Sequence, residues 1–386
     1  MAVLMGGVPV GGGVLVVNAG SSSLKLSVLG EDDSVQAQRH VERWDGTGGV
    51  ADFLADAPEV VAVGHRVVHG GPDFTAPVVV DERVRAGIER LTDLAPLHQP
   101  RALAGIAAAT AALPDVPQVA CFDTAFHHTM PAAARTYALP APWRRDWGLR
   151  RYGFHGLSHA YAARRAVALA GGGSRVVTCH LGAGCSLAAV RDGRSVDTTM
   201  GFTPLAGLVM ATRSGDVDPG LLTWLLRTGR LGVAELDEGL EHGSGLLGVA
   251  GSADLREVHR AADAGSRDAA LALEVFVHRL RQGVAAMTAS LGGLDLLVFT
   301  GGVGEHDAAV RARTVEGLGF LGAELDERRN HGRSGGDAPI AAEGSAVGVW
   351  VIEAREDVEI AAGVRAALAD PAAGGPTSPR SPDRVR

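Results

Sequence analysis

Thirty-six side chains of this sequence are basic, and all but one are arginine. The exception, Lys25, closes the run V-L-V-V-N-A-G-S-S-S-L-K-L-S-V-L, an apolar strand, a small-residue turn and a second apolar run. Lysine and arginine are not interchangeable where a compact point charge must fit beside backbone donors, as at a phosphate. Gly20 and the serines Ser21, Ser22 and Ser23 are the residue types that bring backbone N–H groups and hydroxyls up to an anion. Leu24 precedes the lysine, so the run is not a Walker A loop, and the V-A-I-K context of a protein-kinase lysine is absent as well. A Schiff base at Lys25 stays open chemically, although the hydroxyl-rich turn suits phosphate better than an aldehyde.

Other residues suit the same chemistry. Arg66 lies inside the apolar run of G-H-R-V-V-H-G-G, where a guanidinium must be paired or face a ligand, and its planar fork matches carboxylate or phosphate. Asp123 follows the apolar strand before F-D-T-A-F-H-H-T-M-P, at the end of a strand where ligands of open α/β sheets gather. Arg213 sits in a Gly/Pro/Asp loop, and A-P-L-H-Q-P supplies Leu97 and His98. His155 and His159 are four apart, but H-E-x-x-H is absent and the intervening glycine works against an easy helix, so a metal is disfavoured there. Two loop arginines, a strand-end carboxylate, a histidine and Gly/Ser turns are the equipment of phosphoryl transfer onto an anionic acceptor.

The elements that must carry these groups read as α/β. Strands are expected over 14–29 (a hairpin), 60–68, 78–80, 118–122, 175–180, 187–190, 294–300 and 347–352. Helices are expected over 84–94, 101–112, 158–170, 221–226, 269–291 and 308–318. The hairpin around Ser23 has a counterpart in V-V-T-C-H-L-G-A-G-C-S-L-A-A-V around Ser186, and L-L-V-F-T-G-G-V-G-E-H adds a third strand ending in glycines. With 386 residues, this repeat predicts two related domains facing one cleft, each contributing a phosphate-touching turn.

Composition narrows the class. A net charge of −8 without a basic stripe argues against nucleic acid, and no apolar run reaches the roughly 18 residues that span a bilayer. Cys121, Cys179 and Cys185 have no paired spacing, which fits a reducing cytosol. Residues 1–13 read as a flexible extension rather than a signal peptide, and 370–386 as a disordered tail.

The blocks N-A-G-S-S-S-L-K, G-H-R-V-V-H-G-G, F-D-T-A-F-H-H-T-M-P, Y-G-F-H-G-L-S-H, H-L-G-A-G-C-S, G-F-T-P-L-A-G and G-G-V-G-E-H, in this order, resemble the acetokinase family over about residues 14–368. The resemblance implies a duplicated actin-like (ribonuclease H-like) fold with two domains around a nucleotide cleft: 14–125 plus about 357–369 on the acyl and phosphate side, and 126–356 on the nucleotide side. It implies reversible, Mg²⁺-dependent transfer (Mn²⁺ being the alternative ion) between ATP and acetate, giving ADP and acetyl phosphate in a cytoplasmic homodimer. Asn18 and Glu356 match the family's Mg²⁺-associated positions, Lys25 its nucleotide-phosphate lysine, and Ser21 and Ser23 the serines of the same turn. Arg66 and Arg213 match the arginines that hold the carboxylate and the phosphoryl group, His155 the transition-state histidine and Asp123 the essential acid. Val68, Leu97, Phe154 and Pro204 match the wall around the acetate methyl. His180, Leu181, Gly182, Ala183 and Gly184, then Asp254, Leu255 and Arg256, then Gly301, Gly302, Val303, Gly304 and Glu305 match three ATP segments. Three positions depart from the family: Ala183 replaces an asparagine, Ala211 stands where G-T-R is usual, and His306 replaces an asparagine after G-E. Ala183 removes a side-chain donor near the phosphates, His306 lies near the nucleotide segment, and none of the three replaces a transfer residue. Two other readings stand beside this one, a propionate or other short-chain acyl kinase and a non-catalytic actin-like ATP-binding module. The module would need a peptide-binding domain after the core, and only a short tail follows.

Overall fold

The computed structural model describes residues 12–20, 23–46 and 48–370. The expected N-terminal extension, apart from its last two residues, and the tail after residue 370 lie outside the described residues, as does Ser21. The chain divides into two compact units, Met1–Phe126 with Glu356–Arg386, and His127–Arg355.

The first unit holds β1 (Gly13–Ala19), β2 (Ser23–Leu29), β3 (Val35–Glu42), β4 (Val60–Val67), β5 (Val78–Val79) and β6 (Gln118–Phe122), in the sheet order β3-β2-β1-β4-β6-β5. The second holds β7 (Arg175–Leu181), β8 (Cys185–Arg191), β9 (Arg194–Thr198), β10 (Leu296–Thr300), β11 (Ala338–Pro339) and β12 (Gly348–Val351), in the order β9-β8-β7-β10-β12-β11. The two orders correspond strand for strand, so the repeat read from the glycine turns is a duplicated topology. In each unit an antiparallel hairpin is followed by parallel pairing of its first strand to the next one in the sheet.

The central strands are apolar on both faces, as strands covered by helices on either side must be. β6 and β10 are buried along their whole length. Leu15, Val17, Leu24, Leu26 and Val63 pack with Trp44, Phe53 and Ala109 in one core of the first unit. The helix Glu356–Ala369 lies on β4, where a side chain on Gly64 would come within 2.5 Å of Ile360 Cγ2 and 2.7 Å of Val364 Cγ2. The missing side chain is what lets that helix, and Glu356 at its start, reach the sheet. In the second unit the long helix Arg267–Leu291 buries Phe276, Leu280 and Val284.

Several expected bounds shift. The 84–94 helix is a helix over Glu82–Glu89 followed by a separate turn at Thr92–Leu94, and the strand expected from 294 begins at Leu296. All three cysteines are free, buried and in strands. Gly156 does not break a helix: it opens the helix Gly156–Ala170, which carries His159 in its first turn.

Candidate active site

In the first unit the strand ends converge on Arg66. Its Nε donates to both oxygens of Asp123 at 3.1 and 3.2 Å and its Nη2 to Oδ2 at 2.6 Å. Its Nη1 donates to Asn18 Oδ1 at 3.3 Å and lies 3.9 Å from Glu356 Oε2. Asn18 Nδ2 in turn donates to Glu356 Oε2 at 3.4 Å. Four segments distant in sequence are thereby joined: β1, the end of β4, the end of β6 and the start of the last helix. Burial works against the Arg66 charge, but the charges of Asp123 and Glu356 and the hydrogen bonds to Asp123 outweigh it and hold the guanidinium firmly protonated. Burial likewise pushes the Asp123 carboxyl upward, against the pull of Arg66.

Lys25 is exposed on β2, directly across from Asn18 on β1 and from His40 on β3. Residues directly opposite on paired strands share a face, so Lys25 stands beside the Arg66 group. Ser23 opens β2, and its carbonyl accepts from Gly20 N–H at 2.8 Å. Val68 is buried just beyond β4, whereas Leu97 is 53% exposed.

In the second unit His155 holds a left-handed conformation (φ 55°), rare for a residue with a side chain and a place where strain is tolerated for function. Its ring stacks on His180 with centroids 4.3 Å apart, and His180 Nδ1 bonds Ser158 Oγ at 2.8 Å. His180 and Leu181 end β7, and Gly182, Ala183 and Gly184 turn into β8. A Cβ at Gly184 would lie 2.8 Å from Arg213 Nη2 and 3.2 Å from His155 Cε1, so the glycine is what allows those two groups to converge. Arg213 also donates through Nη1 to the Pro204 carbonyl at 2.7 Å. Burial pulls its pKa down, opposed by the charge of Glu241. Phe154 is buried, and its carbonyl bonds His127 Nε2 at 3.0 Å.

The remaining nucleotide-side residues are also in the second unit. Gly301, in the left-handed region at φ 78°, turns β10 into the short helix Gly301–His306, which carries Gly302, Val303, Gly304 and Glu305. Asp254 caps the helix Leu255–Asp263, accepting from Arg256 N–H at 2.9 Å and from Arg256 Nη2 at 2.6 Å. Those hydrogen bonds hold its carboxyl down at about 2. Two of the departing positions meet: Ala211 N–H donates to the Ala183 carbonyl at 3.1 Å.

Some residues were not legible beforehand. Arg311 is buried and donates to the carbonyls of Gly304 and Glu305, each at 2.9 Å, which fixes the glycine segment. An arginine among the apolar positions of 308–318 was its only signal. Ser186, His159 and Thr178 form a buried chain behind His155, and nothing in local spacing joins them.

Two six-stranded sheets of one duplicated topology define an α/β protein of actin-like fold. The model of the Acetokinase family matches residues 50–362. An acetate kinase of Gloeobacter violaceus is 54% identical over 318 residues, 81% of this chain and 78% of the relative. The crystal structure of Porphyromonas gingivalis acetate kinase superposes with a TM-score of 0.86 at 38% identity, over 93% of this chain and all of the other. That of a propionate kinase from Francisella tularensis gives 0.83 at 35%, over 92% and all of the other. The chain belongs to the acetokinase family, whose members are phosphotransferases acting on a carboxyl group.

Proposed function

We propose that this chain is an acetate kinase, moving the terminal phosphoryl group of ATP reversibly onto acetate. The observation that carries the reading is Arg66, held between Asn18, Asp123 and Glu356 with its guanidinium charged. It is supported by relatives named acetate kinase at 46–54% identity. A carboxylic acid with a pKa of about 4 to 5 is already ionised at pH 7, so the acceptor needs no base. A carboxylate oxygen attacks the γ-phosphorus in line, the bond to the bridging oxygen breaks, and ADP leaves with its electron pair. The barrier is charge repulsion, and Lys25, Arg66 and Arg213 reduce it, with His155 donating to the phosphoryl oxygens. Asp123 orients Arg66 and takes no proton.

Asn18 Nδ2 donates to Glu356 Oε2 at 3.4 Å, which places an amide and a carboxylate side by side, and hard oxygen donors of this kind suit Mg²⁺. They would hold the ion, which supplies charge neutralisation at the phosphates. Among the described residues no cluster of three or more His, Cys, Asp or Glu could hold a metal.

In this reading Ser21 and Ser23 line the phosphates. The segments at His180–Gly184, Asp254–Arg256 and Gly301–Glu305 take the nucleotide, and Val68, Leu97, Phe154 and Pro204 take the acyl end. The first unit is the acyl and phosphate side and the second the nucleotide side. A cytoplasmic homodimer completes the reading, and three buried free thiols are consistent with a reducing compartment. No helix among the described residues is long and apolar enough to cross a membrane.

The likeness to a propionate kinase favours one second reading, in which a longer acyl chain is preferred. The test is a hydroxylamine trap for acyl phosphate with purified protein, ATP, Mg²⁺ and acetate, propionate and butyrate. Acetyl hydroxamate in greatest yield is expected. Failure with all three acids would end the kinase reading, and dominance of propionate would select the second.

A further inference from the structure

Behind His155 runs a buried chain of hydrogen bonds that the transfer chemistry above does not use. Ser186 Oγ lies 2.9 Å from His155 Nδ1 and 2.7 Å from His159 Nε2. His159 Nδ1 lies 2.7 Å from Thr178 Oγ1, and the Thr178 hydroxyl reaches the Ala188 carbonyl in a long contact of 3.5 Å. Ser186, His159 and Thr178 are fully buried, so water does not take over their bonds.

Proton counting gives the chain a direction. The Ala188 carbonyl only accepts, and with that long contact as the end of the chain the Thr178 hydroxyl donates to it and accepts from His159. Burial, with the nearby His127 and His180, keeps His159 well below the ordinary histidine range. A neutral ring has one N–H, and here that proton is on Nδ1, facing Thr178. Its Nε2 is therefore an acceptor, and the single Ser186 proton goes there. In that direction Ser186 accepts from His155, whose Nδ1 then carries a proton.

Strand register points the same way. Ser186 on β8 stands opposite His180 on β7, one pair before the hairpin turn. Lys25 on β2 stands opposite Asn18 on β1 at the same distance from its own turn. Where the first hairpin presents a cation, the second presents a hydroxyl that holds a histidine.

We infer that Ser186, backed by His159 and Thr178, is a positioning residue for His155: it takes the Nδ1 proton and fixes the ring, leaving Nε2 as the nitrogen that turns to the phosphoryl group. With Nδ1–H already matched, Nε2 takes up a proton and donates it as a hydrogen bond without any bond behind the ring being lost. Among the groups facing His155 are His180 of β7, Ser186 of β8 and, across Gly184, Arg213. The inference rests on His155 being the phosphoryl-facing histidine of the proposed reaction.

The test reads protonation directly. Protein labelled with ¹⁵N-histidine is examined without substrates by long-range ¹H–¹⁵N correlation, with His155 assigned from the missing signals of His155→Gln. A protonated Nδ1 is expected in the wild type, and its loss in both Ser186→Ala and the near-isosteric Thr178→Val. Outer partners that orient metal-ligating histidines are worth roughly 10- to 100-fold in activity, and the same scale is expected for a partner that orients His155. Ser186→Ala should therefore lose roughly that much in kcat, with KM for acid and nucleotide within about twofold. A bare Nδ1 in the wild type overturns the inference. So does a fall in kcat in Ser186→Ala with the His155 signals unchanged. Because the spectrum needs no substrate, the two failures are distinguishable: failure to form acyl phosphate sinks the kinase reading and with it the phosphoryl-facing role of His155, whereas a bare Nδ1 sinks this inference alone.

Discussion

Arg66 and Asp123 come from neighbouring parallel strands, 57 positions apart in sequence, and form a forked ion pair with contacts of 2.6, 3.1 and 3.2 Å. Asp123 is 1% exposed, so its charge has the arginine in place of water. The carboxylate holds the guanidinium plane, and Nη1 is left directed at Asn18 and Glu356.

Asp123→Asn should leave the fold intact but let that plane turn. Charge stabilisation in phosphoryl transfer reaches on the order of 10³-fold or more, so a kcat loss of that order is expected. No limb of the pH–rate profile should vanish, because no base has been removed. Disappearance of a limb would reinstate Asp123 as a general base. Arg66→Ala should lower kcat and also raise KM for the acid, and Arg213→Ala should act on kcat.

The β1–β2 hairpin, the duplicated grammar and the positions of Arg66, Asp123, Arg213 and His155 were legible because each is a local pattern. A period-two apolar run, a glycine turn or a charge inside an apolar stretch shows itself within ten residues. β3 was not, since V-Q-A-Q-R-H-V-E is an edge strand whose alternate residues face water and dilute the hydrophobic signal. The helix Leu255–Asp263 went unread because it buries only Leu255 and Val258. The Ser186–His159–Thr178 chain is assembled by strand register and a helix docked on the sheet, and no spacing rule reports such contacts.

Lys25 offers a test in which charge is kept and shape is changed. Lys25→Arg should lose turnover, since the planar fork is bulkier and more weakly hydrated than an ammonium. Lys25 is exposed, so circular dichroism and the melting temperature should barely move. Wild-type turnover in this variant would make the lone lysine an accident of the surface.

Buried neutral histidines make stability depend on acid. Burial lowers both His65 and His127 to about 4, below the usual 6.5. A depressed folded pKa means the unfolded chain binds the proton first. The stability from each histidine is thus complete above about pH 6.5 and is lost as pH falls toward 4. Each group contributes a slope of up to about 1.4 kcal/mol per pH unit inside that window. His127→Gln should lower stability at pH 7 and flatten the fall by one such slope. Urea midpoints at pH 6.5, 5.5 and 4.5 read it, and an unchanged slope would show that His127 is protonated in the fold.

The acyl group is the remaining question, and Val68 is the residue to ask. It is 8% exposed, two positions after Arg66, so an acid whose carboxylate meets Arg66 would turn its alkyl end toward this side chain. One added methylene is worth only about 1–3 kcal/mol of discrimination in an apolar pocket. Propionate should then be used some tens-fold less well than acetate, and butyrate scarcely at all. Val68→Ala removes two methyl groups from the wall and should narrow the acetate–propionate gap, mainly by lowering KM for propionate. The measurement is kcat/KM for the three acids on wild type and variant. A wild-type preference for propionate would move the substrate assignment to the longer acid, and an unchanged gap in Val68→Ala would take Val68 out of the acyl wall.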